Sequence, residues 1–199
     1  NFEKGDHINL KRFCKDKNIL KIGMISRLDP HKGHDDLLYA FSKLPENLKN
    51  KIKIFISGAD RNEYKSKLLN LCNELSIEQS VIFLDYIQED NQKIISSLDL
   101  LVSLTKSYEG FGLSVAEAMS VETPILATDV GAIKEVIDSE TGKLVTPGQI
   151  LEIRDALIDF SENRKIWIER AKMAKTRVEK YFNSEIMAGN YIAHFETQN

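Results

Sequence analysis

The chain has 199 residues, 42% hydrophobic and 29% charged, which is enough for one compact domain with its own core and too apolar for a disordered chain. Its 27 basic and 30 acidic residues leave a net charge of −3, which argues against a general nucleic-acid binder but not against a local phosphate site. Cys14 and Cys72 make no disulfide framework, no run is long enough for a membrane span, and the opening does not read as a secretory leader.

In chain order, polar Asn1–Lys17 reads as a linker, and Asn1 in place of Met is expected to mark a chain cut from a longer one. Ile19–Ile25 is a first strand-length apolar run, followed by a helical stripe of Leu37, Leu38, Phe41 and Leu44. Ile52–Ser57 is a second strand, and Leu68, Leu71, Cys72 and Leu75 form a second stripe. Strands at Val81–Tyr86 and Leu100–Leu104 follow, then a glycine-flanked turn leading into a helix through Val115–Met119. Pro124–Thr128, a short stripe of Ile133, Val136 and Ile137, and Lys143–Val145 complete the alternation.

Several of these runs are continuously apolar, as in strands covered on both faces. Strands alternating with helices imply right-handed crossovers. The expected class is α/β: a doubly wound, mostly parallel sheet of about six strands with helices on both faces and a helical tail. In that tail, Ile153, Ala156, Leu157 and Phe160 form one stripe and Trp167, Ala171, Ala174, Val178 and Tyr181 another. Met187, Tyr191 and Phe195 form a third after Asn183–Ser184, where either residue can cap a new helix.

In an open parallel sheet, ligands sit outside the carboxyl ends of the strands. The informative residues are therefore Ser26–Gly33, Gly58–Asp60, Thr105–Ser114 and Asp129–Ala132. In the third segment, Gly110 and Gly112 bracket Phe111 at a helix start, so the backbone can approach a ligand and aim N–H groups at an anion. Glu109 and Glu117 flank that turn with seven residues between them, one before the helix and one about a turn inside it. Arg27 and Lys32 add cations from a neighbouring strand end. Two cations, a helix N-terminus and a carboxylate that accepts from hydroxyls make a diphosphate site that needs no metal.

Plainer readings compete. Ser114 and Glu117 match a capping box, Glu109 fits a solvated loop carboxylate, Arg27 can pair with Asp29, and Lys32 is one lysine among many. His7, His31, His34 and His194 have no ligand spacing and read as surface or core residues.

The pattern resembles the glycosyltransferases group 1 superfamily (family four, GT-B fold), specifically its C-terminal nucleotide-sugar-binding half. Ile22–Leu28 followed by Lys32-Gly33 looks like the family's first strand, with the Arg and Lys that hold the donor diphosphate. Glu109–Ser114 through Glu117–Met119 is similar to its paired-glutamate signature, and Pro124–Gly131 and Thr141–Val145 to the segments that follow. Two positions depart: Asp60 stands where members often carry glycine, and Lys134 where they often carry proline.

The resemblance implies the Rossmann-like half of a GT-B fold and a retaining transferase. Such an enzyme moves a sugar from a nucleoside-diphosphate donor to a glycan or lipid-linked acceptor, as in polysaccharide assembly. By position, Arg27, Lys32, Gly112, Leu113 and Ser114 would hold the diphosphate, with the helix starting at Ser114. Glu109, with Gly110, Phe111 and Gly112, would meet the donor sugar, Glu109 as the catalytic residue. Glu117 would take the ribose hydroxyls, and the main chain at Tyr86 and Ile87 the base. No metal and no cofactor are implied, and the donor is a substrate.

The family's acceptor-binding N-terminal domain has no room here. Residues 1–17 would then be the interdomain linker, 18–182 the donor domain, and 183–199 a helix packing on the missing half. The chain alone is expected to be inactive, and the whole enzyme cytoplasmic or peripheral at the cytoplasmic membrane face. Three rivals stand beside this reading. One is a nucleotide-sugar epimerase of the same architecture, and a second is a non-enzymatic module that binds nucleotide and partner. The third is an NAD-binding domain, suggested by Gly110-Phe111-Gly112 and Asp129 but opposed by Val115 at the third glycine position.

Overall fold

A computed structural model describes residues 10, 16, 18–60, 63–84, 91–182 and 188. The strands are β1 (Leu20–Ile25), β2 (Ile52–Ser57), β3 (Val81–Leu84), β4 (Leu100–Ser103), β5 (Ile125–Thr128) and β6 (Lys143–Val145). The helices are α1 (His34–Ser42), α2 (Glu46–Lys49), α3 (Tyr64–Glu74), α4 (Asn91–Ile95), α5 (Leu113–Ser120), α6 (Ile133–Val136), α7 (Ile150–Glu162) and α8 (Arg164–Tyr181). All strand pairs are parallel, in the order β3-β2-β1-β4-β5-β6, so the α/β doubly wound expectation holds. The order reverses between β1 and β4, which fixes where a ligand crevice opens.

The continuous apolar runs are explained by the side-chain period of two. Ile22, Met24, Ile54, Ile56, Leu100, Val102 and Leu126 enter one apolar layer, beneath α1, α3 and α7. Their alternates Ile25, Phe55, Leu101, Ile125 and Ala127 enter a second layer beneath α4, α5, α6 and α8. Gly23 faces α4's side of the sheet, where a Cβ would sit 2.2 Å from Leu98. Cys72 lies in the first layer, and burial pushes its thiol up to about 11, so it serves as packing.

α8 belongs to both layers. Trp167 is buried in the first, edge-on to Phe160 with ring centres 5.4 Å apart, and its indole N–H donates to Asp159 at 2.8 Å. Ala174 and Val178 are buried in the second. Tyr181, expected on the same buried stripe, is instead 52% exposed, because the helix ends there and the chain turns Phe182 inward. At the N-terminal edge of the sheet, Asp99 accepts from Lys21 Nζ (2.7 Å), the Lys21 N–H (2.8 Å) and Arg164 (3.0 Å). Burial alone would raise the Asp99 carboxyl, but these hydrogen bonds and the Lys21 charge hold it below its usual value.

Asn1–Lys17 apart from residues 10 and 16, the strand end at residues 85–86, and the stripe of Met187, Tyr191 and Phe195 lie outside the described residues.

Candidate functional site

Beyond β1 the chain is held to the end of β2: the Ser26 N–H donates to Ser57 C=O (3.0 Å) and the Leu28 N–H to Ala59 C=O (2.9 Å). This places Arg27, which is exposed, beside Ser57, Gly58, Ala59 and Asn91, lining a cleft of about 160 Å³. Among the described residues Arg27 makes no ion pair with Asp29. The Asp29 carboxylate instead caps a 3-10 turn at Pro30–Lys32 by accepting from the His31 N–H at 2.9 Å. Asp60, at the glycine-to-aspartate departure, bridges to Leu28 and accepts from the Lys65 N–H at 3.2 Å, so it organises the start of α3.

Gly33 links that turn to α1 at φ 77°, where a Cβ would lie 2.2 Å from the Leu104 carbonyl oxygen. Glycine here lets the turn press against the end of β4. The contact is reinforced by the Lys106 N–H donating to His31 C=O at 2.8 Å. Lys106 Nζ also bridges Asp35 (2.8 Å) and Asp36 (3.2 Å). Burial raises the Asp36 carboxyl despite that partner, whereas for Lys106 the two aspartates outweigh burial and raise the ammonium.

The centre of the arrangement is Lys32 with Glu109. Lys32 Nζ meets Glu109 Oε2 at 2.6 Å, and the Thr105 hydroxyl donates to the same oxygen at 3.0 Å. Both charged side chains are 19% exposed, so the pair is reachable but largely desolvated. The Glu109 backbone is fixed from the next strand: its carbonyl accepts from the Ala132 N–H at 3.0 Å. Gly131, at φ 55°, approaches so closely that a Cβ would lie 2.1 Å from that oxygen. Thr128 adds a hydroxyl bond to Thr105 C=O at 2.7 Å.

From Glu109 the chain passes through Gly110, Phe111 and Gly112 into α5. Gly112 is the N-cap at φ 79°, with Ile133 filling the space a Cβ would need. The helix therefore starts at Leu113, one residue before the expected Ser114, because the left-handed glycine allows an earlier turn. The capping-box reading of Ser114 and Glu117 fails on the same ground, since Ser114 is not the cap and no side chain caps α5. Among the described residues no side chain caps the first N–H groups of α5, which leaves a helix N-terminus of the kind that can donate to an anion. The Phe111 ring packs edge-on against Phe182 with centres 5.7 Å apart, which anchors the turn to the end of α8. Glu117 is half-buried, one turn inside α5.

Lys32, Glu109, Gly110 and the α5 start are therefore brought together, with Glu117 behind them on the same helix. Arg27 lines the adjacent cleft by β2, and no described contact joins it to the turn. Tyr86 and Ile87 lie outside the described residues. Sequence reasoning places Thr105, Lys106 and Gly131 in informative segments but assigns them no role, because they act across strands. It also does not decide between surface and core for His34. That ring is buried, 3.3 Å from the Ser26 hydroxyl, and burial lowers it from 6.5 to about 4. Among the described residues no group of three or more His, Cys, Asp or Glu is placed to hold a metal ion. No helix of the described residues is long and apolar enough to cross a membrane.

The family model described as Glycosyl transferases group 1 matches residues 8–180. The chain belongs to the group 1 glycosyl transferases. It is 30% identical over 169 residues to the poly(ribitol-phosphate) alpha-N-acetylglucosaminyltransferase of Staphylococcus aureus, a match covering 83% of this chain and 33% of that one. It is similar to the C-terminal domain of a group 1 family protein (LpcC) from Francisella tularensis, with TM-score 0.75 and 25% identity, covering 88% of this chain and 94% of that one. It is also similar to a variant of S. aureus TarM in complex with fondaparinux, alpha-GlcNAc-glycerol and UDP. There the TM-score is 0.76 and the identity 26%, with 89% of this chain and 36% of that one covered. The chain spans between 28% and 43% of the length of the curated relatives it matches.

Proposed function

We propose that this chain is the donor-binding half of a retaining glycosyltransferase. The enzyme would transfer a sugar from a nucleoside-diphosphate sugar to a glycan or lipid-linked acceptor held by a further domain. The observation that carries the reading is the Lys32–Glu109 pair set beside the Gly110–Gly112 turn at the open N-terminus of α5, on the carboxyl edge of a parallel sheet. The relative that acts as an N-acetylglucosaminyltransferase and the UDP-bound relative support the same class of donor.

In this reading the α5 N–H groups at Leu113 and Ser114 take the diphosphate, and Lys32 and Arg27 neutralise charge as it develops on the leaving group. That role is open to side-chain cations because a preorganised positive site stabilises the leaving oxygen wherever the charge comes from. Glu109 accepts from donor-sugar hydroxyls next to the reacting centre, and Glu117 accepts from the ribose. Residues 18–182 form the donor domain in this reading. The whole enzyme works in the cytoplasm or at its membrane face, and the 199-residue chain alone transfers little or nothing.

Thermal-shift measurement of the chain against UDP-, GDP- and ADP-sugars and NAD tests this. A nucleotide sugar is expected to raise the Tm. Stabilisation by NAD alone would overturn the reading in favour of a dinucleotide-binding domain.

A further inference from the structure

The Lys32 ammonium, proposed above to meet the diphosphate, already rests in an ion pair with Glu109. Glu109 cannot easily leave Lys32: its carboxylate is tethered by the buried Thr105 hydroxyl, and its backbone is pinned by Ala132 and by the close approach of Gly131. The Lys32 backbone is held at the end of a 3-10 turn whose N–H groups bond back to Asp29, and its ammonium rests on Glu109. The two are 2.6 Å apart and only 19% exposed, so each feels the other's charge with little screening. A ligand phosphate meeting Lys32 must therefore also meet a carboxylate.

That encounter differs between two ligands of one class. A nucleotide sugar brings hydroxyls beside its second phosphate, and these can donate to Glu109. A free nucleoside diphosphate brings a terminal phosphate there instead, with no hydroxyl and about one more negative charge at neutral pH. A fixed carboxylate favours the first and repels the second. We propose that Glu109, held on Lys32 and Thr105, is a specificity-determining residue that discriminates the sugar-bearing donor from the free nucleoside diphosphate left after transfer. The inference rests on the donor-site reading above and adds a rejection that reading does not require. Its consequence is that the product leaves a site its substrate enters.

Isothermal titration of the chain with UDP and with UDP-N-acetylglucosamine, for wild type and Glu109→Gln, tests it. The variant is expected to bind UDP about three- to tenfold more tightly, because Lys32 is released to the phosphate. Its affinity for the nucleotide sugar should stay level or fall. The preference between the two ligands thus shifts toward UDP. UDP binding that weakens or stays unchanged, or both affinities changing by the same factor, overturns the proposal. Should Glu109→Gln fail to fold, Glu109→Ala reads the same difference: a shift toward UDP supports the proposal, and its absence overturns it. Wild type binding neither ligand, nor the corresponding GDP and ADP pairs, would instead remove the donor-site reading on which the proposal rests.

Discussion

The two edges of the sheet use the same chemistry to opposite ends. At the N-terminal edge, Asp99 takes Lys21 from β1 and Arg164 from α8, and every partner is a rigid element. At the carboxyl edge, Lys32 takes Glu109 from loops bounded by the left-handed glycines Gly33, Gly112 and Gly131, next to a helix start no side chain caps. Both pairs are largely desolvated, so burial and distance do not separate a structural ion pair from a binding one. What separates them is whether the neighbouring backbone N–H groups are already satisfied. The first pair fastens strands to a helix, and the second borders a helix start that no described side chain caps.

The largest expected effect breaks this division. His34 sits at the carboxyl edge yet is buried and behaves as core. Its unfolded value of 6.5 falls to about 4 on folding, so between those values the unfolded chain binds a proton that the folded chain refuses. The His34 contribution to stability should therefore fall as pH drops from 6.5 toward 4, by up to about 3 kcal/mol, before the loss from carboxylates such as Asp99 sets in at lower pH. Urea midpoints across that range should show this slope for wild type and lose it in His34→Gln.

Next, Glu117→Ala should weaken nucleotide binding by roughly ten- to a hundredfold, through loss of charge-assisted hydrogen bonds worth about 1.5–3 kcal/mol, with Tm nearly unchanged. Titration calorimetry beside a melting curve checks both halves. Asp99→Ala should do the reverse, costing about 2 kcal/mol by stranding Lys21 and Arg164 while leaving nucleotide affinity intact. Smallest is Arg27→Ala: an exposed guanidinium should contribute about 1 kcal/mol, read as a loss for UDP that is absent for uridine. Equal losses for both ligands would make Arg27 structural.

Much of the molecule is legible in its sequence because each strand is covered twice. Continuous apolar runs such as Ile54-Phe55-Ile56 have to feed two layers, and the fold class follows from that. Glu109, Gly110, Gly112 and Lys32 are legible through spacing and residue type. Thr105 and Gly131 are not, because their roles exist only once β4 and β5 lie side by side: a threonine hydroxyl and a missing Cβ carry no pattern along the chain. The start of α5 lies one residue before its expected place for a related reason. The glycine spacing marks Gly112 as a point of close approach, and only its left-handed backbone makes it the cap.

The path of α8 has a further consequence. Its first half is seated with Trp167 in one apolar layer, its second half with Ala174 and Val178 in the other, and Phe182 then touches the ring of Phe111. Neither layer can open to water without lifting part of this helix, so amide protection against hydrogen exchange should fade in both together. The turn that shapes the α5 entrance would loosen in the same event, so the geometry of the site is tied to the cooperativity of the whole domain.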